Sequence, residues 1–203
     1  FVEHSFIENG FDKNKLFINP YGVSLQHFYP TQYTGEFDCI VVGGWNKRKG
    51  SKIVIDAFEN TPIRVLHVGG VGDVPFPEAD NFVHIDPVSE DILVNYYAKA
   101  KVFIFPSYDD GFGLVLCQAA ACGLPIVCSQ NTGGPTLKKM LGDENNIYVM
   151  KEINAESLRK GVFQQLVTCK HEGVRNYVGN KMSLFTWDAY GKRYDKFLKS
   201  MIR

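Results

Sequence analysis

Asp110, Gly111, Phe112, Gly113 and Leu114, with Gln118 eight residues after Asp110, are the residues of this chain best placed to do chemistry. They lie in Phe105-Pro-Ser-Tyr-Asp-Asp-Gly-Phe-Gly-Leu-Val-Leu-Cys-Gln-Ala-Ala-Ala-Cys-Gly-Leu-Pro125. This segment reads as a strand end, a Gly-Phe-Gly turn and a helix with a small-residue face. Such a turn aims backbone N–H groups and the positive end of a helix dipole at whatever sits above the sheet. The matching ligand is an anion, a diphosphate above all. At roughly 100° per residue, position 118 is displaced only about 80° from position 110 around the axis, so both can reach one cleft. The other reading of the pair is a helix cap at Asp110 and an exposed Gln118.

Two more loops follow predicted strands on the same sheet edge. Gly43-Gly44-Trp45-Asn46-Lys47-Arg48-Lys49-Gly50 combines glycines with mobile cations. Glycine lets a backbone approach a ligand closely, and Lys49 and Arg48 can neutralise phosphate oxygens. The order Lys49-Gly50-Ser51 reverses a Walker A loop, so no P-loop is present. A solvated basic turn would read the same in isolation. Gly69-Gly70-Val71-Gly72-Asp73 mimics a dinucleotide fingerprint, but Val74-Pro-Phe-Pro follows where a helix is needed, which excludes NAD. The five histidines, His4, His27, His67, His84 and His171, are scattered without a triad partner and read as surface or packing residues.

The elements that must position these loops alternate along the chain. Strands are predicted at Phe37–Val42, Ile63–Val68, Phe82–Ile85, Val102–Phe105, Ile126–Cys128 and Ile147–Val149. Their continuous apolar character suits strands buried on both faces of a parallel sheet. Helices are predicted at Ser51–Glu59, Glu90–Ala98, Phe112–Ala121, Pro135–Leu141 and Ala155–Thr168, with Ser89 as an N-cap and Pro135 near a helix start. This order predicts a Rossmann-like, doubly wound α/β sheet with ligands at the carboxyl ends of its strands. A short helix and turn are expected over 1–16, and a polar C-terminal helix over 173–203. Trp187, Tyr190, Tyr194, Phe197 and Met201 recur there at spacings of three and four, forming one apolar stripe that must dock on this domain or on a neighbour.

Composition narrows the classes. The 203 residues carry 22 basic and 22 acidic side chains, which argues against a general nucleic-acid binder. Five cysteines (Cys39, Cys117, Cys122, Cys128 and Cys169) form no CxxC pair and read as reduced thiols of a cytosolic protein. No Cys/His cluster has the spacing of a metal site. No apolar run is long enough to span a membrane, and the first residues lack the features of a signal peptide.

The residues also resemble a known family, the C-terminal half of retaining GT-B glycosyltransferases of the family 4 type. Asn19-Pro-Tyr-Gly-Val-Ser-Leu-Gln-His-Phe28 is similar to that family's Pro-Asn-Gly-Val-Asp-x-x-x-Phe entry to the domain. Lys49-Gly50 resembles its Glu-Lys-Gly phosphate loop. Pro106–Pro125 is similar to its signature nearly residue for residue, and Gly133-Gly134, Gly142–Val149 and Phe185-Thr-Trp187 follow in its order. The resemblance covers essentially the whole chain.

It implies a nucleotide-sugar donor held by residues 17–172, with a helix at 173–203. An acceptor sugar or lipid-linked glycan would be bound by an N-terminal domain, to which residues 1–16 connect. Membrane association would then come only through that other half. The family signature places one Glu on the donor sugar and a second on the nucleotide ribose. Those positions hold Asp110 and Gln118 here, and the family's first-loop Arg falls on Gly44. Asp110 and Lys49 are the implied catalytic residues. Arg48, Gly111, Phe112, Gly113, Leu114 and Gln118 are the implied donor-binding residues. Lys49, Arg48 and the N–H groups at Gly113 and Leu114 would stabilise a diphosphate leaving group, with no cofactor and no metal ion. The implied function is a cytoplasmic hexosyltransferase of polysaccharide or glycoconjugate biosynthesis, the separate domain being inactive. Two alternatives are a nucleotide-sugar-binding module without transferase activity and a GT-B sugar-nucleotide epimerase.

Overall fold

The computed structural model describes residues 2–142, 145–168 and 179–202. Six strands form one parallel sheet: β1 Phe37–Val42, β2 Val65–Val68, β3 Phe82–Ile85, β4 Ala100–Phe105, β5 Ile126–Ser129 and β6 Ile147–Met150, in the order β3-β2-β1-β4-β5-β6. That is the doubly wound order, in which the sheet is built outward in both directions from a central pair. The central β1 and β4 align Cys39 with Val102 and Ile40 with Phe103.

The apolar strands divide between two cores by the period of two that a pleated backbone imposes. In β4, Phe103 and Phe105 point to one face and Val102 and Ile104 to the other, all buried. The first face is covered by α3 (Glu90–Ala98), α4 (Leu114–Ala121) and α5 (Gly134–Leu141). The second is covered by α2 (Ser51–Phe58) and α6 (Ala155–Thr168). Ile53, Val54, Ala57 and Phe58 of α2 lie at helical spacing and are all buried. Each large apolar side chain so buried contributes about 1.5–3 kcal/mol.

Helix α4 begins at Leu114, two residues later than the sequence suggests, because Gly113 adopts a left-handed φ of 76° and holds the N-cap position. Ser89 does stand at the N-cap of α3, yet its hydroxyl donates to Asp91 and caps no backbone N–H.

At the N-terminal end, α1 (Val2–Glu8) buries none of its residues and a 3₁₀ turn follows at Lys13–Lys15. At the other end a 3₁₀ turn, Gly179–Phe185, leads into α7 (Trp187–Met201), capped by Thr186 through Ala189 N–H at 3.1 Å. The apolar stripe of α7 docks on the stretch Phe17–Tyr21 of this same chain. Phe197 stacks on Phe17 with ring centroids 4.1 Å apart, and Tyr190 lies 6.0 Å from Tyr21. Arg193 fixes the same contact, donating to Asn19 Oδ1 and Pro20 O, each at 2.7 Å, and anchors the preceding turn through Leu184 O at 2.6 Å. Met201 stays exposed and does not join the stripe. Cys169, His171 and the beginning of the expected C-terminal helix lie outside the described residues. Among the described residues, no helix is long and apolar enough to cross a membrane.

Candidate functional site

Neighbouring strands β1 and β4 send their chains to opposite faces of the sheet, to α2 and α4. A crevice must open between the two loops, as it does at every such switch point. Here it is a cavity of about 460 Å³, walled by Gly43 and Gly44 after β1, Lys49, Asp110 and the run Gly111–Val115, and closed on one side by Tyr21. Tyr21 reaches it from the N-terminal stretch held down by α7. No local spacing marks it: packing of Phe17–Tyr21 under α7 brings it there.

The loops around the crevice are bound to one another. Tyr108 N–H and Ser107 Oγ both donate to Arg48 O, at 2.9 and 3.0 Å, and Arg48 Nη1 donates to Asp109 O at 2.9 Å. Gly50 is compulsory at this seam: its φ is 76°, and a Cβ would lie 2.2 Å from Pro106 O. Asp110 N–H donates to Asn131 O at 3.0 Å, and Asn131 Nδ2 returns a bond to Tyr108 O at 2.9 Å. The loop Gly69–Asp73 pairs with the first loop, through Trp45 N–H to Gly70 O and Lys47 N–H to Asp73 Oδ1. It braces the crevice from behind and does not line it.

Charge in the crevice is concentrated on one pair. Lys49 Nζ and Asp110 Oδ2 form an ion pair whose side chains are only 18% and 13% exposed. Lys49 also lies over the Phe105 ring, 4.9 Å from its centroid. Arg48 is more than half exposed and its Nη1 stands 3.9 Å from the same Asp110 oxygen. Asp110 therefore caps nothing: Gly113 occupies the N-cap of α4 with no side-chain bond. The cavity's cation is thus held against the Asp110 carboxylate. Of the sequence-derived site residues, Lys49, Asp110, Gly111, Phe112, Gly113 and Leu114 come together on this cavity, while Arg48 sits outside its wall.

Gln118 does not share the cleft wall with Asp110. It is buried and turned toward α3, taking a hydrogen bond from Tyr97 Oη at 3.2 Å and donating to Glu90 Oε1 at 3.3 Å. The expected shared cleft fails because Asp110 lies in the loop before α4, outside the helix whose spacing would relate the two positions.

The scattered histidines conceal one ordered pair. His67 is buried beneath the first loop, 2.8 Å from Gly43 O through Nε2 and 2.9 Å from His84 Nδ1 through its own Nδ1. The carbonyl can only accept, so Nε2 carries the proton and Nδ1 accepts from His84. Burial pushes His67 down to about 4. A parallel register that sets His67 opposite His84 created this pair, and residues 17 positions apart gave no sign of it. Burial likewise pushes the Cys117 and Cys128 thiols up to about 12, which makes them packing groups and not nucleophiles.

The family model described as "Glycosyl transferases group 1" matches residues 36–166, which hold the whole sheet and every wall of the crevice but Tyr21. The chain belongs to this family. This glycosyl transferase domain is 30% identical over 86 residues to O-antigen chain mannosyltransferase B of Escherichia coli, covering 41% of the chain and 23% of that protein. It is 27% identical over 170 residues to D-inositol 3-phosphate glycosyltransferase of Xylanimonas cellulosilytica, covering 69% of the chain and 40% of that protein. The chain thus spans less than half the length of these curated relatives. Sucrose-phosphate synthase of Thermosynechococcus elongatus superposes with a TM-score of 0.76 at 21% identity, over 98% of this chain and 56% of that one. Anabaena HepE, solved in complex with UDP, gives 0.72 at 16% identity over 98% of this chain and 61% of that one. These likenesses establish a Rossmann-like GT-B glycosyltransferase domain.

A second cavity of the transferase domain, about 310 Å³, lies beside the first between Phe17–Tyr21 and Phe112, Thr132, Gly133 and Thr136. Tyr21 and Phe112, ring centroids 6.1 Å apart and edge to face, line both spaces.

Proposed function

We propose that this domain binds a nucleotide-diphosphate sugar in the β1/β4 crevice and supports transfer of its glycosyl group to an acceptor held by a second domain. The observation that carries this reading is the Lys49–Asp110 pair at the mouth of a glycine-walled cavity, directly before the N-terminus of α4. The diphosphate would take Lys49 from Asp110, with Arg48 swinging in from its exposed position. The N–H groups at Gly113 and Leu114 add the positive end of the α4 dipole. As the bond to the sugar breaks, negative charge grows on the leaving diphosphate, and these fixed donors stabilise it without a metal ion. Asp110, freed from Lys49, would face the donor sugar. Retention of configuration and a role in polysaccharide or glycoconjugate assembly follow from the family resemblance, and the complexes of HepE with UDP and with UDP-glucose support a nucleotide-sugar donor. A cytoplasmic setting fits the buried cysteines Cys39, Cys117, Cys122 and Cys128, which form no disulfide with one another.

Calorimetry of the purified protein against UDP-, GDP- and ADP-sugars tests this reading. Absence of binding at millimolar donor, with the fold intact, overturns it. The commitment of Gln118 to Tyr97 and Glu90 favours a second reading, a donor-binding module without transfer. Donor binding by the full-length protein with no transfer to any acceptor of a sugar and polyprenyl-phosphate panel would select it.

A further inference from the structure

Glu90 opens α3 on the carboxyl edge of the sheet, on the face that also carries α4. Its carboxylate is fixed from two sides. Gln118 Nε2 donates to Oε1 at 3.3 Å, and His27 Nδ1 lies 3.4 Å from Oε2. Behind Gln118, the hydroxyl of the fully buried Tyr97 holds the amide oxygen at 3.2 Å. The chain of contacts therefore has a rigid inner end and an open outer one, since the Glu90 side chain remains 58% exposed.

The chemistry of that outer end is specific. An ionised carboxylate offers about four lone-pair sites. Among the described residues Gln118 and His27 take one on each oxygen, which leaves one acceptor on each, side by side. Two parallel acceptors match two hydroxyls on adjacent carbons. The position fits as well. Gln118 stands four residues beyond Leu114, about 6 Å along the α4 axis from the turn that faces a phosphate, and its amide holds Glu90 beside that helix. Carboxylates are the groups that doubly wound folds set on a ribose hydroxyl.

We propose that Glu90 supplies the carboxylate that accepts the ribose hydroxyls of the nucleotide, with Gln118, Tyr97 and His27 as positioning residues. The neutral amide at 118 is then no defect. The charge is carried by the neighbouring helix, and Gln118 aims it. The inference rests on the donor-site reading above, and it adds a residue that decides ribose recognition.

The test is calorimetry of the purified protein with inorganic pyrophosphate, with UDP, GDP and ADP, and with the 2′-deoxy form of each. Wild type should prefer the ribonucleotide it binds to its 2′-deoxy form by at least about tenfold, the scale of a hydrogen bond to a charged group. Glu90→Gln should abolish most of that preference while leaving pyrophosphate affinity unchanged, and Glu90→Asp should retain part of it. Undiminished preference in Glu90→Gln, or no preference in wild type, overturns the role of Glu90 while the donor site stands. Failure of wild type to bind any nucleotide or pyrophosphate overturns the donor-site reading, and this inference with it.

Discussion

In the proposed donor site Lys49 is the residue to test first, because it is the one cation that lines the β1/β4 cavity among the described residues. Removing it takes away a charge-assisted hydrogen bond to phosphate. Lys49→Ala should weaken pyrophosphate and nucleotide binding by about 1.5–3 kcal/mol in calorimetry. Unchanged affinity would remove Lys49 from the site. His67 makes a prediction of another kind. It is neutral in the fold, its value lowered from 6.5 to about 4 by burial, so below pH 6.5 the unfolded chain binds a proton that the folded chain refuses. Stability contributed by this group is complete above pH 6.5, falls as the pH drops toward 4, and changes no further below that. The loss across the window is up to about 3 kcal/mol. Urea titrations at pH 7 and pH 5 should show it, and His67→Gln should flatten the difference. The types of residue in the crevice were legible in the sequence. The pairing of Lys49 with Asp110 was not, because it joins loops 61 positions apart.

Strands β1, β3 and helices α3 and α6 fall where apolar runs and helical spacing put them, since each buries a continuous or periodic apolar face. Displaced ends have local causes, such as the left-handed backbone of Gly113 at the start of α4. Helix α7 shows the limit of this kind of reading. Its apolar stripe declared that something covers it, and the stacked Phe17 and Phe197 rings show that the covering segment is Phe17–Tyr21. Arg193 ties the two pieces with two hydrogen bonds, to Asn19 and Pro20. Arg193→Ala should therefore cost about 1–3 kcal/mol and lower amide-exchange protection in residues 17–22 and in α7 together. Amides of β1 and β4 should keep theirs. Protection lost in α7 alone would mean that the segment is held by other contacts. Since Tyr21 lines the cavity, the same variant should also loosen nucleotide binding.

The whole domain joins a rigid doubly wound sheet to a ligand edge made of loops, so a bound nucleotide should stabilise it by mass action. At a concentration of 100 times Kd the gain is about 2.7 kcal/mol, which for a chain of this size raises Tm by roughly 5–10 °C in differential scanning calorimetry. No shift with any nucleotide diphosphate would count against the crevice as a binding site. The sequence by itself determined the strand and helix order, the doubly wound class and the glycine turn that opens α4. All of these depend on contacts and backbone preferences within a dozen or so neighbouring residues. Only the tertiary structure decided which side chains meet: Lys49 with Asp110, His67 with His84, α7 with Phe17–Tyr21, and Gln118 with Tyr97 and Glu90. Such meetings are set by sheet register and by how deeply one helix packs against another, and neither quantity is written in local spacing.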